Sequence, residues 1–441
     1  MDKIVDELVI SFLFPPSDYV SGITVSKRII ENNQVVDVLQ AKYDEKSNKF
    51  NECLDEFINQ RILVDIDCDV DSTECIFKFV NKGIKLINKD YSKIYSRSWL
   101  MSSHFLAFEY KLKNNSTFWT AEFSDPLIYN LDNKKRSYKR IIVDNPEYIS
   151  KLNEEISGLD LDLPLIENKS SAPFITEYLV YLFADRVIFT NENQREIMLK
   201  QFPIDIYDIV FPKSEIKAHP TLPDKYYHIQ ESELNLEDEY INIAYFGSDY
   251  YGKRHFESIF SALESLNHKD KDKIRFYLFI NDKALIKNLI SPLSVRKNII
   301  IKNPLEYLEF LNATTKFDVL VVNDVNTKGI YEINPYLPSK LSDYLGSGSD
   351  IWAICERGST LSKNDVKYKS YIDEYNSSAL ELVKILEDRG FVDENYSFDD
   401  YFSQRLTSLN ELYEKEFRKN LKLKKQLKKS KSKKKRFRWL K

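Results

Sequence analysis

The chain has 441 residues, 43% of them hydrophobic and 13% aromatic, with a net charge of −4. That length exceeds one ordinary core and the apolar share fills two, which excludes both a single small domain and a disordered chain. No apolar run approaches the roughly 20 residues of a membrane-spanning helix. The acidic start (Asp2, Asp6, Glu7) lacks the basic region of a secretory signal, so the expected location is cytoplasmic.

Residues 1–40 read as strand, loop, helix, strand. An apolar run at 8–14 is punctuated by Pro15, Pro16, Ser17 and Asp18. Ser21 and Gly22 then open a helical stretch, and 35–39 is the next strand. Continuous apolar strands alternating with helices predict a parallel sheet covered on both faces. Similar runs recur at 117–122, 186–190 and 208–211. Prolines 212, 220 and 223 then crowd a polar connection.

A second series follows, with strands expected at 241–246, 275–280, 299–301, 319–323 and 351–355 and helical patterns between most of them. That alternation predicts a doubly wound α/β domain. Six of the ten glycines fall between 247 and 358, which points to this half as the small-ligand side.

Two segments carry candidate chemistry. In Tyr245-Phe-Gly-Ser-Asp-Tyr-Tyr-Gly-Lys-Arg254 a strand turns on glycines and enters a helix that starts with Lys253 and Arg254. Cations there oppose the helix dipole unless an anion rests on the loop, and a diphosphate fits; an ordinary turn with two surface cations is the plainer alternative. In Asn334-Pro-Tyr-Leu-Pro-Ser-Lys-Leu-Ser-Asp-Tyr-Leu-Gly-Ser-Gly348, Pro338 suits a helix start. Leu341, Tyr344 and Leu345 would face the core, and Ser339, Lys340 and Asp343 a crevice at the strand ends. A capped amphipathic helix with solvated polar residues is equally consistent with that pattern.

The run from Pro338 to Gly348, set between two strands, resembles the donor-binding signature of GT-B glycosyltransferases, and more narrowly of the retaining family 4 enzymes. Trp119-Thr-Ala-Glu-Phe-Ser-Asp-Pro126 and Ala184-Asp-Arg-Val-Ile-Phe-Thr-Asn-Glu-Asn-Gln-Arg195 are similar to segments of bacterial surface-polysaccharide transferases. The resemblance implies two Rossmann-like domains facing across a cleft, at 1–215 (acceptor) and 216–400 (donor), followed by a helix at 401–417 and a basic tail. It implies transfer of a sugar from a nucleotide diphosphate-sugar to a glycan, lipid-linked or protein acceptor, with retention and without metal or cofactor. Lys253, Arg254 and Lys340 would hold the phosphates, and Asp343 would bind ribose. Ser21 and Gly22 would approach the donor from the other domain, and Asp125 would lie near the reacting sugar. Gly247, Ser248, Asn323, Pro338 and Ser339 complete the implied donor set. Pro335 stands where the first acid of the paired motif is expected, with Glu332 and Asn334 as substitutes. That departure leaves a non-catalytic binding or chaperone subunit as the alternative. No GxGxxG follows the first strand, which disfavours an unrelated nucleotide-using enzyme such as an epimerase.

Four cysteines without CxxC spacing are expected to be reduced thiols, and His104 to be structural rather than a base. The alternating Asp65, Asp67, Asp69 and Asp71 lack the glycine and glutamate of a calcium loop, because Val70 and Ile76 stand there. They read as a solvated acidic run. The tail at 418–441 holds 14 Lys or Arg and no acid, which leaves −18 for the rest. With Phe437 and Trp439 it predicts peripheral attachment to an anionic membrane, a solubilising tail being the alternative. The acidic body argues against nucleic acid.

Overall fold

The computed structural model describes residues 5–42, 48–248, 254, 256–266, 268–281, 283–290 and 293–391. Their Cα packing divides into two compact units. The first runs to Gln230 and includes Glu306–Leu311 and Thr327–Gly346; the second holds Glu231–Leu305, Asn312–Asn326 and the chain from Ser347 on. The signature helix Lys340–Leu345 therefore packs within the first unit.

The first unit is built on seven strands: β1 Glu7–Ile10, β2 Val36–Ala41, β3 Ile58–Val64, β4 Lys93–Ser98, β5 Phe118–Phe123, β6 Arg186–Phe189 and β7 Ser214–Ile216. All pair in parallel, in the order β3-β2-β1-β4-β5-β6-β7. Apolar runs such as Leu8-Val-Ile10 bury both faces, as a helix-covered parallel sheet requires. Trp119, Phe79, Tyr178 and Tyr181 are almost fully buried in the core around this sheet.

Helix Val20–Asn32 follows β1 and is buried over most of its circumference, including Thr24, Ser26, Lys27 and Arg28. Thr24 and Ser26 turn their hydroxyls back on the carbonyls of Val20 and Gly22, at 2.9 and 3.1 Å. The two cations have to find partners elsewhere in the fold, because a buried unpaired charge is strongly unfavourable. Gly22 is where this helix passes the end of β1: a Cβ there would stand 2.1 Å from the Leu13 carbonyl oxygen.

The second unit has six parallel strands: β8 Ile241–Phe246, β9 Ile274–Phe279, β10 Ile299–Lys302, β11 Val319–Asn323, β12 Asp350–Cys355 and β13 Tyr368–Tyr371. Their order is β10-β9-β8-β11-β12-β13. Ile243, Phe260, Phe276, Trp352 and Leu382 fill its core.

The structure departs from the sequence reading at several points. Residues 208–211 form no strand, because Asp208 to Val210 close the helix Ile204–Val210. Ile206 and Val210, four apart, are its buried face, and Pro203 precedes its first turn. Strands β3, β4, β7 and β13 were not anticipated; β3, β7 and β13 lie at or next to a sheet edge, and β4 and β13 interleave polar residues. Cys68 and Cys75 form a disulfide, with Cα atoms 5.3 Å apart, where reduced thiols were expected. The turn closed by the Ser72 N–H on the Asp69 carbonyl brings Cys68 back over the start of helix Thr73–Leu86. Asp69 and Asp71 of the acidic run pair with Arg140. Among the described residues no helix is long and apolar enough to cross a membrane. The expected helix at 401–417 and basic tail at 418–441 lie outside the described residues.

Candidate functional site

In the second unit the strand order reverses between β8 and β11. Each has its next strand in sequence on the far side, so the loops leaving their carboxyl ends run to opposite faces and open a crevice. β8 ends in Gly247, whose φ of +146° belongs to the region that favours glycine. The Tyr245 hydroxyl donates to the Ser248 carbonyl at 2.9 Å and fixes the turn. β11 ends in Asn323, and Arg254 is tied to it twice: the guanidinium donates to the Asn323 carbonyl, and the Asn323 amide donates to the Arg254 carbonyl. The structure thus brings four expected donor residues, Gly247, Ser248, Arg254 and Asn323, to one end of one sheet. A guanidinium fixed beside a turn at that position suits a diphosphate. Lys253 lies outside the described residues.

Next to Asn323, Asp324 is fully buried. Its Oδ2 accepts the Glu356 N–H at 2.9 Å, and the Ser359 hydroxyl bonds the same carboxyl. Burial pushes this carboxyl up to about 7, against the bonds from Ser359 and Glu356 and the charge of Arg254. Sequence reading passed it over, although an acid closing the apolar run Val319-Leu-Val-Val-Asn323 is itself a signal that something must hold it.

The signature residues form a second cluster, in the first unit. Lys27 donates to Asp343 Oδ1 at 2.9 Å and to Ser342 Oγ at 2.8 Å; Ser342 in turn donates to the Ser339 carbonyl at 2.9 Å. The Tyr307 hydroxyl also donates to Asp343 Oδ1, at 2.9 Å, and the Tyr227 hydroxyl to the Asp343 carbonyl, at 2.6 Å. Asp343 is buried here, engaged by a lysine and a phenol. Lys340 lies over the Phe310 ring, 3.9 Å from its centre. Burial lowers its ammonium pKa; Asp343 opposes the shift and Lys27 adds to it. Pro338 precedes this short helix and its carbonyl accepts the Leu341 N–H. Leu345, expected on the buried face, is 52% exposed, while Ser342 and Asp343 are buried in its place.

Pro335 occupies an anchored backbone position. Its carbonyl accepts from Asn191 at 3.1 Å, and the Asn334 carbonyl from Asn193 at 3.0 Å. Both asparagines belong to the 184–195 segment, so that stretch positions the chain leading into Pro338. Glu332 is exposed and paired with Lys200.

Ser21 accepts from Arg97 at 2.9 Å. Arg97 and Arg28 both clamp the fully buried Glu122, each with an Nε bond of 3.0 Å, and Tyr95 adds its hydroxyl at 2.9 Å. Burial alone would raise the Glu122 carboxyl; the two guanidinium groups hold it below its ordinary value. His219 Nε2 stands 3.2 Å from Arg97, and burial, with Arg97, Lys27 and Arg28 behind it, pushes its pKa well down. Lys27, Arg28 and Glu122 were missed from sequence. The legible signal was two adjacent cations inside the apolar helix Ile23-Thr-Val-Ser-Lys-Arg-Ile-Ile30 and an acid inside the apolar strand Phe118-Trp-Thr-Ala-Glu-Phe123.

Asp125 follows β5, and its charge helps to raise the Tyr336 phenol. The loop after it is held from below. Buried Glu177 accepts the N–H groups of Leu127 and Ile128 at 2.8 and 3.0 Å, and Arg136 donates to the carbonyls of Pro126 and Tyr129 at 2.9 and 2.8 Å. Burial pushes the Glu177 carboxyl up to about 7. His104 is structural: Ser96 accepts from Trp119 Nε1 at 2.8 Å and so offers its own hydrogen to His104 Nδ1, also at 2.8 Å. Burial lowers that imidazole to about 3.

Both sheets run in the doubly wound order, with the first extended by one strand at β7. Several solved structures that share this architecture over nearly their whole length are glycosyltransferases. A sucrose-phosphate synthase from Thermosynechococcus elongatus is 13% identical over 96% of this chain and 100% of that chain, with a TM-score of 0.55. HepE of Anabaena, in complex with UDP-glucose, is 10% identical over 94% and 99%, with a TM-score of 0.53. An E. coli trehalose-6-phosphate protein bound with UDP-2-fluoro glucose is 10% identical over 93% and 95%, with a TM-score of 0.52. The chain has the GT-B fold. No family model and no curated protein matches its sequence.

Within this GT-B chain a cavity of about 420 Å³ opens in the first unit, lined among others by Leu199, Lys200, Phe202, Ile204 and Tyr207. Glu332, offered as a substitute for the first motif acid, also lines it; none of the other residues expected to bind donor does. Among the described residues no group of three His, Cys, Asp or Glu side chains is placed to hold a metal ion.

Proposed function

We propose that the chain is a glycosyltransferase that moves a sugar from a nucleoside diphosphate-sugar to an acceptor. One observation carries the reading: Gly247, Ser248, Arg254 and Asn323 converge where the strand order of the second unit reverses. As the glycosidic bond breaks, negative charge builds on the departing diphosphate. A guanidinium already held by the Asn323 carbonyl and backbone groups of a fixed turn stabilise that charge without reorganising. A UDP-sugar is the donor class to try first, since solved structures of this fold hold UDP-glucose and UDP-2-fluoro glucose.

Finer features are part of the same proposal. Transfer retains anomeric configuration without metal, Lys340 meets the phosphates and Asp343 the ribose. Asp125 lies by the reacting sugar, and the acceptor is a glycan, lipid-linked or protein molecule of surface-glycan synthesis. The basic tail rests on an anionic membrane at the cytoplasmic face. Incubation with UDP-sugars and candidate acceptors tests the activity. Acceptor-dependent release of UDP, reduced at least tenfold by Arg254→Ala, supports it; no turnover across a broad panel of sugar nucleotides contradicts it.

A non-catalytic binding subunit is the second reading, favoured by the engagement of Asp343 with Lys27 and Tyr307 and by Pro335 at the motif's first acidic position. A stable partner protein together with no binding of any sugar nucleotide would establish it.

A further inference from the structure

Asp324 has no part in the donor contacts described above, yet it stands one residue beyond Asn323, at the same end of the sheet. Its backbone N–H continues the ladder to the Ile354 carbonyl, at 2.9 Å. Its side chain reaches across to the turn that leaves β12, where Oδ2 takes the Glu356 N–H and the carboxyl takes the Ser359 hydroxyl. Ser359 in turn accepts the Ser362 N–H at 3.0 Å and caps helix Thr360–Lys363. One buried carboxyl thus holds the turn 356–359 and the helix behind it. Oδ1, equally buried, has no hydrogen-bond partner among the described residues, which leaves room there for a proton.

Among the described residues two charges act on it. Arg254 arrives from the loop after β8 and favours the carboxylate; Glu356, from the turn itself, opposes it. Cys355 on β12 stays a neutral thiol, raised by burial and by Asp324, and Lys369 on β13 acts on that thiol. Arg254 thus favours the ionised form of Asp324 alongside the Ser359 and Glu356 bonds, and it is also the group expected to receive the diphosphate.

We propose that Asp324 is a proton-linked positioning residue: it holds the turn 356–359 at the nucleotide end of the sheet, and an anion settling on Arg254 drives a proton onto its carboxyl. A diphosphate beside Arg254 cancels the guanidinium's field at Asp324 and adds negative charge of its own, and both effects favour the neutral acid. Burial, which pushes the carboxyl up to about 7, places the group where this change is visible at neutral pH. The inference rests on the donor site proposed above and adds a property that the site would not have if Asp324 were a passive structural acid.

Calorimetric titration with UDP-glucose in two pH 7 buffers of different ionisation enthalpy tests it. The UDP-glucose diphosphate is a diester with no ionisation near neutrality, so any proton taken up goes to the protein. At pH 7 wild type should take up a fraction of a proton, at most about one half, and across a series from 6 to 8 the uptake should rise from pH 6 and peak above pH 7, midway between the free and bound values. Asp324→Asn, which mimics the neutral acid and keeps an oxygen for the Glu356 N–H, should bind at least as tightly as wild type, with no uptake in that range. Bound UDP-glucose with no uptake by wild type, or equal uptake by Asp324→Asn, overturns the assignment. If Asp324→Asn fails to fold, the wild-type pH series decides alone, because flat uptake from pH 6 to 8 is incompatible with the proposal. Absence of UDP-glucose binding to wild type counts against this donor and removes the ground for the inference with it.

Discussion

Lys27 donates to Asp343 at 2.9 Å across 316 positions of sequence, and both side chains are buried. The pair ties helix Val20–Asn32 to the signature helix Lys340–Leu345. Two buried charges in contact add little net stability, but removing one partner strands the other, at about 3–5 kcal/mol. Lys27→Met should therefore lower the unfolding temperature by several degrees. Replacing both partners, as Lys27→Met with Asp343→Leu, should recover much of the loss. A double variant no more stable than Lys27→Met would show that the pair does not carry this coupling.

Gly22 was expected to approach the donor. Its first constraint is packing, since a Cβ would meet the Leu13 carbonyl oxygen at 2.1 Å. Gly22→Ala should destabilise by about 1–3 kcal/mol through displacement of helix Val20–Asn32. Denaturant unfolding checks this; unchanged stability with weakened donor binding would restore the ligand-facing role alone.

Glu177 gives a pH dependence. Its folded-state carboxyl is raised by burial from 4.5 to about 7. Below the unfolded value both states are protonated and the acid is neutral. Between the two values the unfolded chain releases its proton and the folded chain does not. Stability therefore falls as pH rises from about 4.5 to 7, by roughly 3 kcal/mol for this group, and levels off above. Asp324 shifts in the same direction and adds to the trend. Glu177→Gln, which keeps an oxygen for the Leu127 and Ile128 N–H groups, should flatten part of that slope in melting curves from pH 5 to 8.

Arg97 bonds Glu122, Ser21 and His219 together, and its Nε and NH1 geometry needs a planar fork. Arg97→Lys should lose at least two of these bonds and destabilise by about 2–4 kcal/mol, as truncating one member of a buried charge network does. Stability equal to wild type would mean that Arg28 alone suffices to hold Glu122.

Much of the fold was legible because the physics that made it is local. The strands at 241–246 and 319–323 are uninterrupted apolar runs and fold at those bounds. Where pattern and context compete, context won: Ile204-Asp-Ile-Tyr-Asp-Ile-Val210 carries apolar residues at both strand and helix spacing, and Pro203 with the burial of Ile206 and Val210 selects the helix. Strand β13, Tyr368-Lys-Ser-Tyr371, lies at a sheet edge and shows little hydrophobic run to read. The site divided in the same way. Gly247 and Arg254 sit on a readable strand–turn–helix pattern. Lys27, Glu122 and Asp324 act through partners 25 to 316 residues distant or through burial that no local pattern displays. Their trace in the sequence is a charge set where apolar residues surround it.

The central claim is that the diphosphate of a sugar nucleotide rests at the carboxyl ends of β8 and β11. A crystal structure with UDP or UDP-glucose bound tests it most directly. The account predicts phosphate oxygens within hydrogen-bond distance of the Arg254 guanidinium and of the backbone at Gly247 and Ser248. A nucleotide bound with its phosphates away from all three would contradict it.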